Sequence, residues 1–145
     1  GAFPLPKSDD KERDSISNLG LQLQTIQPEL NSLVGKFVKY LVTKFQLIKT
    51  SRKLENWQDL DFGDFIKELN KAIKATNKQR DKDGLAPIAT LTKTDEYEWF
   101  DLFEQNKKKA QDLQLKINTI EQQIDAMVYE LYGLSEDEIR IVEGS

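Results

Sequence analysis

Cysteine and histidine are both absent from this chain of 145 residues. Thiol nucleophiles, disulfides, structural zinc of the usual ligand types and imidazole acid/base chemistry are thereby excluded within it. Glycine and proline are scarce, at 7 and 4, which argues against a turn-rich sheet protein. No apolar run reaches the roughly 18 residues that cross a bilayer, and the opening GAFPLPK lacks a signal-peptide core. The expected location is therefore cytoplasmic, with no membrane partner. No Gly-x-Gly, phosphate loop or Asn/Asp-Pro-Pro-aromatic loop occurs. Nor does the Pro-Asp with a spaced Asp/Glu-x-Lys triplet that holds the metal of common nucleases.

What is abundant is charge, at 32% of residues against 38% hydrophobic. That balance, at this length, predicts one all-α domain of long helices with polar surfaces. The net charge of -4 conceals an asymmetry. Basic and acidic residues number 3 and 5 in residues 1–29, 12 and 6 in 30–82, and 6 and 14 in 83–145. The stretch 30–54 holds Lys36, Lys39, Lys44, Lys49, Arg52 and Lys53 and no acid. Such a bias suits a polyanion, or the acidic C-terminal part of the same chain.

Prolines 4 and 6 fix an extended linker over residues 1–8, and Ser8, Asp9 and Asp10 can cap the first helix. The start at Gly, without an initiator Met, reads as a scar on a fragment of a larger protein. A first helical arm is predicted over 9–48, its apolar stripe running from Ile16 to Ile48 in steps of three and four. Gly20 and Pro28 interrupt it, so a break or kink is expected near Gln27, with Pro28 opening a second helix. A shorter helix is predicted over 61–77, started by Asp61 and Asp64. On it Lys67, Lys71, Lys74 and Lys78 share one face at spacings of four, three and four. Beyond it lies a loop, with Gly84 and Pro87 as breakers and a short extended stretch at 88–91.

The last long helix, 94–132, has a stripe from Trp99 to Leu131 that alternates four and three over more than four heptads. The stripe of the first arm is its natural partner, predicting an antiparallel, coiled-coil-like helical hairpin with the shorter helix and loop inserted at the distal end. Two matching stripes in one chain favour an intrachain seam over a dimer interface, and hence a monomer. Gly133 is expected to stop the long helix in the left-handed conformation, and Ser135 with Glu138 to cap a terminal turn over 135–142.

Asp95, Glu96, Glu98 and Asp101 are acids at a helix N-terminus rather than a catalytic pair. Trp57, Trp99, Phe100 and Phe103 suit core packing better than stacking on bases. No catalytic, cofactor or metal residue emerges, so the chain alone is not expected to be an enzyme.

The segments LVGKFVKYLVTKF, SRKLENWQDLDFGDFIKEL, EWFDLFEQNKKKAQDL and INTIEQQIDAMVYELYGLSEDEIRIVE resemble the C-terminal end of Eco57I-type (type IIG) restriction-modification enzymes. Such enzymes join an endonuclease, an adenine-N6 DNA methyltransferase and a TaqI-like specificity region. The ending carries most of the resemblance, with Gln123 where Glu is common, and it is shared by methyltransferases that do not cut DNA. The resemblance implies a noncatalytic helical scaffold in the target-recognition region. Its partners would be double-stranded DNA, through the parent, and the recognition and catalytic domains of the same polypeptide. S-adenosylmethionine, and Mg2+ if the parent cleaves, would bind elsewhere in that parent. Any DNA contact would go to phosphates, from Lys36, Lys39, Lys44, Lys49, Arg52 and Lys53 or from the Lys67–Lys78 face. The alternative is a helical protein–protein interaction module without a DNA role.

Overall fold

A computed structural model describes residues 7–133 and 136–143. The chain is all-α, with no strand among the described residues. Helix α1 spans Lys7–Phe45, α2 Arg52–Glu55, α3 Phe62–Lys82, α4 Lys93–Leu131 and α5 Glu136–Glu143, with a 3-10 turn at Trp57–Asp59. Helices α1 and α4 form a long antiparallel hairpin, and α2, α3 and a loop are inserted between its arms. No described helix is long and apolar enough to cross a membrane.

By contacts the chain divides into two units, one of Glu29–Leu113 and one of Gly1–Pro28 with Gln114–Ser145. The middle unit holds an aromatic core. Trp57, Phe65 and Phe103 are fully buried; Phe65 stacks on Phe103 at 4.5 Å, and Phe37 lies 4.2 Å from Trp57. Trp99 of α4 meets Phe37 and Phe45 of α1, pinning the two arms together. Each such side chain contributes about 1.5 to 3 kcal/mol by leaving water. The buried indole is not left unpaired, since Trp57 Nε1 donates to the Val34 carbonyl at 3.1 Å. In the unit of the chain ends, Ile117 and Ile120 of α4 are buried, while Leu19, Leu23 and Ile26 of α1 are half-buried.

Several boundaries differ from the sequence-based expectation. Helix α1 is unbroken at Gly20 and Pro28, which lies inside it. Pro28 has no N–H for the Gln24 carbonyl, yet Ile26, Leu30, Leu33 and Phe37 keep their four-three-four phase across it, so breaking the helix would cost the seam. The arm ends at Phe45, short of 48, because Gln46 adopts a left-handed φ of 51° and Leu47 N–H turns back to the Val42 carbonyl. Helix α3 runs on to Lys82 rather than stopping at 77. Its end is the same motif, with Gly84 at φ 73° and Leu85 N–H donating to the Arg80 carbonyl at 2.8 Å. Residues 88–91 form no strand. In their place Asn77 clamps the loop, its amide donating to the Ile88 carbonyl and its oxygen accepting from Ile88 N–H.

Helix α4 matches its predicted span within one residue at each end. Thr92 and Asp95 cap it reciprocally, each side chain accepting from the other's backbone N–H. Gly133 takes φ 65° as expected. The linker predicted over residues 1–8 is shorter, because α1 already begins at Lys7; residues 1–6, and Ser135 of the terminal capping pair, lie outside the described residues.

Candidate nucleic-acid interface

Helix α3 owes its orientation to a polarised sequence. Phe65, Ile66, Leu69, Ala72, Ile73 and Thr76 are buried, which turns Lys67, Lys71, Lys74 and Lys78 to solvent. From Phe65 to Arg80 the helix contains a single acid, Glu68. Its spacing from Phe65 and Ala72 puts it on the apolar face, and it is only 7% exposed. There Ser51 Oγ donates to Glu68 Oε2 at 3.1 Å, and Lys71 Nζ lies 3.5 Å from Glu68 Oε1. The outward face of this stretch therefore presents cations without an intervening exposed carboxylate.

Ser51 also serves the chain locally, accepting from Leu54 N–H as the N-cap of α2. The cap places Lys49, Thr50 and Ser51 along the edge of α3. These three line one 310 Å³ pocket together with Glu68, Lys71, Ala72 and Ala75. Lys49 and Lys71, 22 positions apart in sequence, thus share one rim. Arg52 and Lys53 come next on α2, which packs on α3, and both are exposed.

The remaining predicted cations stand apart. Lys44 lines a different pocket, one that also contains Asp95 and Glu98 at the start of α4, and its Nζ lies 6.0 Å from the centre of the Phe45 ring. Lys36 and Lys39 are exposed on α1. Lys49, Arg52, Lys53, Lys67, Lys71, Lys74 and Lys78 form the candidate surface.

The model of a domain of unknown function, DUF8810, matches residues 9–128. The chain belongs to the DUF8810 family. The match covers the whole of α3 and the aromatic core of this DUF8810 chain. Comparison with curated proteins and with solved structures gives no match.

Of the aromatic residues of this DUF8810 domain that could have stacked on bases, three serve its core: Trp57 and Phe103 are fully buried and Trp99 nearly so. Phe100 departs from that expectation, since it is exposed and sits edge-on to Phe62 at 5.1 Å. Two basic residues outside the predicted set have structural tasks. Lys107 is half-buried and donates to the Leu60 carbonyl. Arg80 donates to the Ala86 carbonyl at 2.6 Å and to Gln46 Oε1 at 3.2 Å, joining both loops at the ends of α1 and α3. Among the described residues no cluster of acids could hold a metal ion. The contributions of Ser51 and Glu68 went unnoticed in the sequence. The signal for Glu68 was there, in its three-four spacing to Phe65, Ala72 and Thr76.

Proposed function

We propose that this chain is a noncatalytic helical scaffold of the specificity region of a type II restriction-modification enzyme or adenine-N6 DNA methyltransferase. In this reading it positions the recognition domain and touches DNA phosphates through α3. Three things support it: the resemblance of the quoted segments to Eco57I-type enzymes, a helical hairpin architecture, and above all the cationic face of α3. That last observation carries the DNA contact. Lysines at three- and four-residue spacing lie within a narrow sector of a helix and can track a phosphate backbone, while carrying no information about base sequence. Sequence would be read by the recognition domain, and S-adenosylmethionine would be held by the catalytic domain.

The test is to titrate the longer polypeptide with duplexes of unrelated sequence. The combined variant Lys67→Glu, Lys71→Glu, Lys74→Glu and Lys78→Glu should weaken all of them by a similar factor. Loss confined to one sequence would make α3 a base-reading element, and no loss at all would leave the scaffold without a DNA contact.

A further inference from the structure

The unit formed by the chain ends has a surface the hairpin does not use. Ile26, Leu115 and Ile120 line a 500 Å³ groove with Gln22, Lys116 and Thr119. Leu115, on its outer lip, is 65% exposed. The α1 side of this groove belongs to a 14-residue stretch, Ser15–Pro28, that contains no charged residue, where the chain's average would place about four. Leu21, within it, is 59% exposed. A solvent-facing helix normally keeps its outer face charged, whereas depletion of charge with retained apolar side chains characterises the centre of a protein interface.

We propose that this face is the contact between two copies of the chain, paired about a two-fold axis. The choice of occupant is set by charge. A nucleic acid or a strongly charged peptide finds only Lys116 to pair with in the groove, whereas a second uncharged face is matched to it and is present on every copy. The end unit has five basic and eleven acidic residues, but its acids lie in residues 9–14 and 121–143, outside the uncharged stretch and the groove. Two copies therefore repel at long range while their contact face stays neutral, so pairing tightens as salt rises. Two helices side by side over 14 residues offer about 400 Å² per copy, which suits a weak, reversible dimer rather than an obligate one. The monomer expected from the two stripes did not foresee Leu115, which sits outside the seam. This inference is independent of the DNA contact, which salt weakens.

The test is sedimentation of the full chain from low to high micromolar concentration at low and high ionic strength. The expected result is a mass rising from 16.7 kDa toward twice that value, with a smaller dissociation constant at high salt. Leu115→Glu should hold the mass at the monomer value with an unchanged circular dichroism spectrum. Because the chain has no cysteine, Leu115→Cys should give an oxidised dimer at concentrations where Lys78→Cys gives none. A monomer at every concentration, a dimer unaffected by Leu115→Glu, or a dimer that salt dissociates would each overturn the proposal.

Discussion

Ser51 Oγ donates to Glu68 Oε2 at 3.1 Å. The bond ties the cap of α2 to the buried flank of α3 and keeps the one carboxylate between Phe65 and Arg80 off the lysine face. The same hydroxyl accepts from Leu54 N–H, so it serves two elements at once. Ser51→Ala should cost about 1 to 2 kcal/mol in chemical denaturation, from the lost cap and the unpaired buried oxygen. Glu68→Gln and Ser51→Ala should be non-additive, with a coupling above about 0.5 kcal/mol in a double-mutant cycle. Strict additivity would mean that the bond does not organise this corner.

Trp57 is fully buried, 4.2 Å from Phe37, with its indole N–H satisfied by Val34. Trp57→Ala should destabilise the chain by about 3 to 5 kcal/mol, as read by thermal unfolding. Trp57→Phe should cost less, since most of the apolar contact survives. If Trp57→Ala left the melting temperature unchanged and reduced DNA binding, the residue would be a base-stacking group after all.

Two helix ends use one motif with different residues. Gln46 and Gly84 both adopt left-handed φ, at 51° and 73°. Around Gly84 an added Cβ meets nothing, so Gly84→Ala should cost about 1 kcal/mol through backbone strain alone. Gln46→Gly should stabilise by less than about 1 kcal/mol, because relief of the same strain is offset by loss of the bond from Arg80. Denaturant midpoints of the pair would check both signs.

These ends show where the sequence was legible. Helix α4 was readable to within a residue because its stripe alternates four and three without interruption and its caps are local. The lysine face of α3 was readable for the same reason. By contrast, periodicity carried α1 on to Ile48, past a left-handed glutamine that no pattern announces, and stopped α3 at Asn77 because KQRDK has no apolar spacing to extend it. Gly84 was the better marker, two residues beyond the true end. Pro28 was overweighted as a breaker; the register of the residues around it was the stronger constraint. Helix α2 and the turn at Trp57 are too short to show a period at all. What no local pattern contains is tertiary pairing, which put Lys49 beside Lys71 on one pocket rim and Lys44 with Asp95 and Glu98 at another.

Tyr129 titrates above the ordinary phenol value of about 10. Partial withdrawal from water is the main cause, with smaller contributions from the charges of Glu143 and Asp125 and from a hydrogen bond to the Glu143 carboxylate on α5. A raised folded value means that its contribution to holding α5 is fully present below the unfolded pKa and is lost as pH rises through the folded one. An alkaline difference spectrum should therefore contain a late phenolate step that Tyr129→Phe removes and Glu143→Gln moves to lower pH. An unchanged profile in Glu143→Gln would dissociate α5 from this residue.

The most direct measurement is the salt dependence of duplex binding by the proposed parent polypeptide, with and without Lys67, Lys71, Lys74 and Lys78 changed to Glu. Each phosphate contact contributes about 0.9 to the slope of log affinity against log salt. Phosphate contact by α3 predicts a slope shallower by about 2 to 4 in the variant, together with weaker binding at low salt. Equal slopes and equal affinities would contradict it, leaving α3 a solvated face and the hairpin a spacer that does not touch DNA.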